Sequence, residues 1–282
     1  MAEFLVVYKP SSGRQAQKHL QWLKRQEQKH QITWLWYGTT GEFETDCQTI
    51  RLLANTVTQV IVIGGDGTLH LVVNATVDMP CRLALLPAGT GNDFARQFPF
   101  SEAQWRDTVF SDKTQRMDLG KVGGCYFHNI GGVGFNAAVV EALSVKNKRH
   151  PLSYVTAGLS QLFCFAGVSL ELDGRNAVPT MMLVVANGRY FAAGLRPAPN
   201  NDNQDGQFEL LLFKGCKGWQ RVASFVGMLL QFHTSLPFVE SWNSESITVR
   251  TVGLPIEADG ELVGMTPATF ECLPEKLQLA VL

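Results

Sequence analysis

The sequence contains no close pair of cysteines. Its six cysteines are scattered over 282 residues, and no two of them form a C-x-x-C motif. Zinc sites and disulfide frameworks depend on cysteines at short, paired spacings, so neither is expected. Widely spaced single cysteines are typical of a reducing cytosol, and we therefore expect a cytoplasmic protein.

The sequence also lacks a charge excess and a long apolar run. Its formal net charge of −1 provides no overall attraction to nucleic acid or to an anionic membrane. The most apolar stretches, 159–168 and 222–232, are too short or too polar to span a bilayer, and residues 1–7 lack the basic segment that opens a signal peptide. We expect no nucleic-acid partner and no transmembrane segment, so any contact with a membrane would be a transient association with its surface.

The patterning of the chain predicts two domains. Up to about residue 117, strand-like apolar runs alternate with helical segments, which predicts an α/β domain with a parallel, doubly wound sheet. Beyond that point, short runs of alternating hydrophobicity predict an antiparallel β-sandwich. The predicted strands are 4–8, 32–37, 60–63, 83–86, 181–186, 207–214, 246–251, 269–272 and 277–281, and the predicted helices include 69–76, 137–148, 153–165 and 219–231.

Two familiar nucleotide-binding patterns are absent, and two other glycine loops are present. Neither G-x-x-x-x-G-K-[ST] nor G-x-G-x-x-G after the first strand occurs, which excludes a P-loop ATPase and an ordinary dinucleotide-binding enzyme. Instead, Gly64-Gly65-Asp66-Gly67-Thr68 and Pro87-Ala88-Gly89-Thr90-Gly91-Asn92-Asp93-Phe94-Ala95-Arg96 each follow a predicted strand. Glycine turns that lead into helices present bare amides to anions, but an aspartate repels phosphate unless a divalent cation lies between them. The pair of loops therefore predicts a site for a magnesium-bound nucleoside triphosphate.

A single Gly-Gly-Asp-Gly run is most often only a surface turn. Here a second glycine-aspartate loop follows one strand–helix unit later. Loops at the carboxyl ends of neighbouring parallel strands face the same crevice, so we expect the two loops to converge.

These two motifs resemble the catalytic domain of the diacylglycerol kinase and sphingosine kinase superfamily, and the compact length resembles its soluble bacterial lipid kinases. The first motif is shared with NAD kinases and, more loosely, with phosphofructokinases, whereas the second is much more specific to lipid kinases. The resemblance extends from Tyr8-Lys9-Pro10-Ser11-Ser12-Gly13 to Asp259-Gly260-Glu261 and so covers almost the whole chain.

The resemblance implies a Rossmann-like domain of residues 1–117, a β-sandwich of residues 118–272, and a last segment, 273–282, that returns to the first domain. It also implies ATP and Mg²⁺ as cofactors, with Asp66, Asp93 and Asp118 in the charged network around the cation. Asp118 is almost equally well explained as a local cap at a strand end. The residues implied in nucleotide binding are Lys9, Pro10, Ser11, Ser12, Gly13, Thr39 or Thr40, Gly64, Gly65, Asp66, Gly67, Thr68, Leu69, His70 and Thr90.

Two further sites follow from the resemblance. Asp259-Gly260 predicts a hairpin turn, after which Glu261 would merely begin the returning strand, but the family pattern implies that Glu261 is the general base. The loop 200–207 offers hard oxygen ligands, and the family implies a structural magnesium held by Asp202, Asp205 and the carbonyl of Gln207. Without the resemblance, this loop would be interpreted as an exposed polar segment.

Some positions depart from the family pattern. His70-Leu71 replaces the usual asparagine-glutamate pair, Lys9 replaces an asparagine, and Asn136 stands where an aspartate is more common. The leading interpretation is an ATP- and Mg²⁺-dependent lipid kinase acting on diacylglycerol or a related lipid, with a homodimer left open. The alternatives are a kinase of a soluble acceptor such as NAD or a sugar, and a catalytically weak nucleotide-binding regulator.

Overall fold

The computed structural model describes residues 4–11, 13–30, 33–146, 165–215 and 217–282, without the side chains of 144–146. Its contacts divide the chain into two compact units, one of residues 1–117 with 275–282 and the other of residues 118–274. None of the described helices is both long and apolar enough to span a bilayer.

The first unit is built on a parallel sheet. Its strands lie in the order β2-β1-β3-β4, all parallel, and Leu279 of the last strand of the chain pairs beside Leu83. Residues 60–63 are completely buried, as expected for strands covered on both faces. The elements are β1 (Phe4–Tyr8), α1 (Arg14–His30), β2 (Leu35–Gly38), α2 (Phe43–Ala54), β3 (Gln59–Gly64), α3 (Asp66–Thr76), β4 (Arg82–Pro87) and α4 (Glu102–Asp107).

The second unit contains an antiparallel sheet with the strand order β11-β10-β9-β7-β13-β14, and β8 pairs with β9. The remaining elements of the chain are β5 (Thr114–Val122), β6 (Cys125–Phe127), β7 (Ile130–Gly134), α5 (Phe135–Lys146), β8 (Val168–Leu170), β9 (Val178–Ala186), β10 (Phe208–Lys214), α6 (Gly218–Leu230), β11 (Val239–Ser244), β12 (Ser246–Val249), β13 (Pro255–Ala258), β14 (Glu261–Met265) and β15 (Ala268–Ala280). Strands β5 and β15 each contain residues of both units.

Both faces of this antiparallel sheet are buried. Along β9, Leu183 and Val185 face a core shared with β6, β12 and the first residues of β15, whereas Met182 and Val184 face a second core. The second core is closed by residues of α5 and α6. The first core lies between two layers of strands, which is the sandwich arrangement that the sequence predicts. The fold class, an α/β domain followed by an antiparallel β-sandwich, is confirmed.

Some predicted elements differ from the structure. The strands predicted at 269–272 and 277–281 are one strand, β15, in which Glu275 has a positive φ of 57°. The second strand begins at Leu35 rather than at residue 32. The segment Ile130–Gly134 was not recognised as a strand, because three of its five residues are glycines. The helix predicted at 153–165 lies outside the described residues except for its last position.

Candidate active site

Two glycine turns meet at the carboxyl ends of β3 and β4. These strands pair with Gly64 opposite Pro87. A Cβ atom added to Gly65 would lie 2.9 Å from Cα of Gly89, and one added to Gly89 would lie 2.5 Å from Cα of Gly65. No side chain can be inserted at such distances, so both positions require glycine for the loops to touch. The first unit therefore brings together the two loops in which the sequence predicts phosphate binding.

Asp66 ties these two loops to each other. It is the first residue of α3, and its carboxylate accepts hydrogen bonds from the backbone amides of Asp93 and Phe94, each at 3.0 Å. Gly67 in the same turn is exposed, and a Cβ atom there would meet nothing within 4 Å. A helix N-terminus presents amides and partial positive charge, which favour an anion. Open space, a helix N-terminus and a fixed carboxylate thus occur at one place.

Asn92 shapes the second loop. Its φ of 52° lies in the left-handed region, which asparagine tolerates because its short side chain can bond locally. Its side-chain carbonyl accepts a hydrogen bond from the amide of Gly89 at 2.8 Å, and its side-chain amide donates to the carbonyl of Gly89 at 3.0 Å. Asp93 is buried, with its carboxylate 3.6 Å from Nε of Arg96, whereas Thr90 is exposed. The loop is therefore rigid at its base and accessible at Thr90.

The loops after β1 and β2 adjoin each other. The amide of Thr39 donates a hydrogen bond to the carbonyl of Tyr8 at 2.8 Å. The predicted nucleotide-binding residues Lys9, Pro10, Ser11 and Gly13 are exposed in the loop after β1, and Ser12 lies outside the described residues.

Asp46 organises the loop after β2, and the sequence analysis missed it. Its buried carboxylate accepts hydrogen bonds from Oη of Tyr37 at 2.7 Å, from the amide and hydroxyl of Thr40 at 2.9 Å, and from the amide of Gly41 at 3.0 Å. Burial alone would raise the pKa of Asp46, but these hydrogen bonds lower it below its ordinary value. Because the hydroxyl of Thr40 is engaged here, Thr39 is the better candidate for a ligand. In α2, Asp46 lies on the buried side with Cys47, Ile50 and Ala54, and a carboxylate at this spacing from apolar residues is the signal that the sequence offers.

The predicted nucleotide-binding residues of α3 divide into two kinds. The side chain of Thr68 packs on the turn, where a Cβ atom added to Gly64 would lie 2.4 Å from its Oγ1. Leu69 and His70 are buried, and the ring centroid of His70 lies 5.8 Å from that of Phe43. The side chains of Leu69 and His70 are therefore buried rather than exposed at the turn.

The hairpin predicted at Asp259-Gly260 joins β13 to β14. Asp259 and Gly260 have φ values of 51° and 83°, as a type I′ turn requires, and Ala258 pairs with Glu261. Glu261 is the first residue of β14 and is only partly buried. Glu261 is therefore partly exposed at the end of the turn.

A buried carboxylate anchors this hairpin. The carboxylate of Asp259 accepts hydrogen bonds from the amides of His128 and Asn129 at 2.9 Å and from the amide of Ile130 at 3.2 Å, and its Oδ2 lies 2.7 Å from Nδ1 of His128. Both side chains are fully buried. Asp259 therefore fixes the position of the turn relative to the segment that leads into β7.

A second buried carboxyl explains one departure from the family pattern. Glu257 accepts hydrogen bonds from Nδ2 of Asn136 at 3.0 Å and from the amide of Gly260 at 3.2 Å. Burial raises the pKa of Glu257 to about 8, and the carboxylate of Asp259 acts in the same direction. An aspartate at position 136 would place a second carboxyl against Glu257, whereas asparagine supplies a donor.

Asp118, in β5, hydrogen-bonds to the loop 200–207. Its Oδ2 accepts a hydrogen bond from the amide of Gly206 at 2.7 Å, and its own amide donates to the carbonyl of Asn203 at 2.7 Å. Burial raises the pKa of the Cys272 thiol to about 12, and the nearby carboxylates of Asp118 and Asp205 contribute. The two carboxylates are therefore neighbours of the same thiol.

The predicted metal ligands are on the outer part of this loop. Asp202 and Asp205 are exposed, and Gln207 is partly buried. The amide of Gln207 donates a hydrogen bond to Oδ1 of Asp205 at 2.9 Å. This hydrogen bond does not involve the carbonyl oxygen of Gln207. The structure brings oxygen donors of several residues into one loop, which is the ligand chemistry that Mg²⁺ and Ca²⁺ prefer.

Two family descriptions match this chain. Residues 3–122 match the diacylglycerol kinase catalytic domain, and residues 130–281 match the YegS C-terminal NAD kinase beta sandwich-like domain. Together they span nearly all of the chain.

Individual relatives agree with these matches. The diacylglycerol kinase of Bacillus subtilis (strain 168) is 28% identical over 278 residues, which cover 94% of this chain and 91% of the relative. The diacylglycerol kinase of Mycobacterium tuberculosis (strain ATCC 25618 / H37Rv) is 28% identical over 235 residues, covering 78% and 75%. A crystal structure of a diacylglycerol kinase from Bacillus anthracis str. Sterne has a TM-score of 0.76 and 21% identity, over 99% of this chain and 97% of that chain, and shows the same fold.

The fold and the family matches define a phosphotransferase that acts on an alcohol group. The chain belongs to the diacylglycerol kinase family, and it is a kinase of the lipid type. The family resemblance and the enzyme class expected from the two glycine motifs are confirmed.

Proposed function

We propose that this protein is an ATP- and Mg²⁺-dependent kinase that phosphorylates a hydroxyl of diacylglycerol or a related lipid during transient contact with a membrane surface, from the cytoplasm. The observation that carries the proposal is the contact between the loops at Gly65 and Gly89, with the carboxylate of Asp66 bonded across it. Relatives named diacylglycerol kinase support the choice of lipid.

The first unit fits a triphosphate. Amides of Gly64, Gly65 and Gly67 would cradle the phosphates, and Thr39, Thr90 and the loop at 9–13 would complete the site. Asp66 and Asp93 would hold the cation directly or through water. When bound, magnesium ATP supplies the phosphoryl group and the counter-charge that such a transfer needs. Gly65 and Gly89 are required by the backbone contact between the two loops, which supports a cradle at this place.

The second unit supplies the base. We assign to Glu261 the removal of the proton from the lipid hydroxyl, because the residue is partly exposed and directly follows a turn that Asp259 fixes. A general base must reach its proton within hydrogen-bonding distance, so a rigid turn helps to position it. Asp202, Asp205 and the carbonyl of Gln207 would bind a structural ion, and Asp118 would brace their loop.

The departure at His70-Leu71 does not favour the alternative of an inactive regulator. Both side chains are buried rather than exposed at the turn that would face the phosphates. The backbone amides and the carboxylate of Asp66 remain in place.

The test is phosphate transfer from labelled ATP in the presence of Mg²⁺. We expect label in the lipid product with vesicles that contain diacylglycerol, and none with NAD or a sugar as acceptor. Label in a soluble acceptor would establish the other kinase, and ATP binding without transfer to any lipid of a total extract would establish the regulator.

A further inference from the structure

Helix α6 carries a stripe of exposed apolar side chains. The most exposed members are Leu230, Trp219 and Leu229, with 65%, 62% and 58% of their surface accessible. Val222, Val226 and, just beyond the helix, Phe232 are also exposed. Isolated exposed apolar residues are ordinary, but a contiguous set usually marks an interaction site.

The spacing places these side chains on one face. Positions 219, 222, 226, 229 and 230 recur at three- and four-residue intervals, as on one side of an α-helix. Ser224, Gly227 and Met228 are buried on the opposite side, and Ala223 and Phe225 pack on the second core of the sandwich. A helix packed on a sheet normally has a polar outer face. This helix is apolar on its outer face as well.

The helix is held firmly in this orientation. A Cβ atom added to Gly227 would lie 3.0 Å from Cα of His233, so the turn after the helix packs tightly against it. The buried ring of His233 places Nε2 2.6 Å from the carbonyl of Pro197. The exposed stripe therefore cannot be covered by a simple rotation of the helix.

In the sequence, the charged residues next to the stripe have one sign. No aspartate or glutamate occurs between Glu209 and Glu240, whereas Lys217 and Arg221 lie near the start of the helix. The chain as a whole has a net charge of −1, so this is a local property. An apolar face with a tryptophan and flanking basic residues is typical of helices that lie in the plane of a membrane interface.

The size of the stripe argues against a second protein copy. The helix has 13 residues, so it is about 20 Å long and about 10 Å wide. Its outer face offers a few hundred Å², short of the roughly 800 Å² per partner that a stable dimer buries. A bilayer imposes no such minimum.

We propose that the outer face of α6 is the surface by which this protein docks on an anionic bilayer, with its apolar side chains at the boundary between headgroups and acyl chains. The proposal rests on the lipid substrate of the proposed function. It assigns the contact to a surface of the second unit.

The test is co-sedimentation with vesicles of equimolar phosphatidylcholine and phosphatidylglycerol, without diacylglycerol or nucleotide. Leu229→Ser/Leu230→Ser should reduce vesicle binding at least tenfold. The matched control is Leu52→Ser/Val252→Ser, which removes two side chains that are 71% and 78% exposed elsewhere. This control should bind as the wild type does. Because all four positions are exposed, both variants should fold, and thermal melting checks this.

Three results would overturn the docking surface: no vesicle binding by the wild type, equal binding by Leu229→Ser/Leu230→Ser, or a wild-type dimer that this variant converts to monomer. The proposed function is tested separately with a short-chain diacylglycerol dispersed below its micelle concentration. There the docking variant should phosphorylate the lipid at the wild-type rate. Failure of the wild type in that assay would contradict the kinase assignment, whereas failure in sedimentation alone would contradict only the docking surface.

Discussion

At the residue scale, Asp66 has a structural role in addition to the cation binding that we propose for it. The sequence predicts only that its side chain is in the charged network around the cation. In the structure its carboxylate also bonds to the amides of Asp93 and Phe94 and so joins the two loops. One side chain therefore fixes the loops and places negative charge beside them.

Asp66→Asn is accordingly expected to lower turnover greatly and stability slightly. The substitution replaces one of the two carboxylate oxygens by an NH2 group, which then faces a backbone N–H group. The lost hydrogen bond costs about 1 kcal/mol. Steady-state kinetics and thermal unfolding measure the two effects. The exposed Asp112→Asn is the control, and near-normal turnover of a folded Asp66→Asn protein would reduce this loop to a structural turn.

Glu257 gives a prediction about pH. Its pKa is raised to about 8 in the folded protein, from an ordinary value of 4.5, because the carboxyl is buried. The folded state therefore binds this proton more tightly than the unfolded chain does. The resulting stability is complete below pH about 4.5 and is lost as the pH rises toward about 8.

Glu257→Gln should remove this dependence on pH. Glutamine stays neutral, can accept from Gly260, and can donate to the buried Oδ1 of Asn136, which has no hydrogen-bond partner. The variant should be more stable than the wild type above pH about 8, and its melting temperature should vary less with pH. Glu271→Gln, at an exposed strand position, is the control. Parallel curves for the wild type and Glu257→Gln would show that Glu257 is not a buried protonated carboxyl.

At the element scale, the loop 200–207 is the segment whose proposed role depends on a bound ion. Its backbone is braced through Asp118, while Asp202 and Asp205 face outward. An ion bound only by the native state stabilises that state by mass action.

A chelator should therefore lower the melting temperature of the wild type without added nucleotide. Asp202→Ala/Asp205→Ala should melt lower and should not respond to the chelator. An unchanged wild-type melting temperature with and without chelator would contradict a tightly bound ion in this loop.

Elements were predictable from the sequence where local pattern decides them. The apolar runs at Phe4–Tyr8 and Gln59–Gly64 and the Asp-Gly hairpin follow from composition and turn chemistry. The strand Ile130–Gly134 does not, because its glycines serve close packing: a Cβ atom on Gly132 would lie 2.1 Å from the carbonyl oxygen of Leu183. The partner strand lies about 50 residues further on, so no local signal could reveal this need.

The candidate site shows the same division between local and distant information. The glycine loops could be recognised because glycine and aspartate recur at fixed positions after strands. The bonds of Asp259 to His128 and of Glu257 to Asn136 join residues more than 100 positions apart, and only the folded chain shows them. Asp46 was missed because most of its partners lie in the loop after β2, and the spacing of Tyr37, Thr40 and Asp46 does not by itself show that they meet.

At the scale of the whole molecule, the proposed nucleotide binding and the proposed proton removal belong to different units. The first contains the paired glycine loops for the nucleotide, and the second contains the hairpin that carries Glu261. If this division is correct, a mutation in the first unit can impair nucleotide binding alone, and a mutation in the second unit can impair proton removal alone.

The most direct test compares Glu261→Gln with the wild type, using one diacylglycerol substrate and a separate ATP-binding titration. General-base catalysis contributes on the order of 10²–10⁴ in rate, so kcat should fall by about that factor while the Kd for ATP stays nearly the same. Asp259→Asn is the companion variant, and it should show its main effect on thermal stability because its carboxylate is a buried anchor. Normal turnover by Glu261→Gln would contradict the account, and a loss confined to ATP affinity would place Glu261 in the nucleotide site instead.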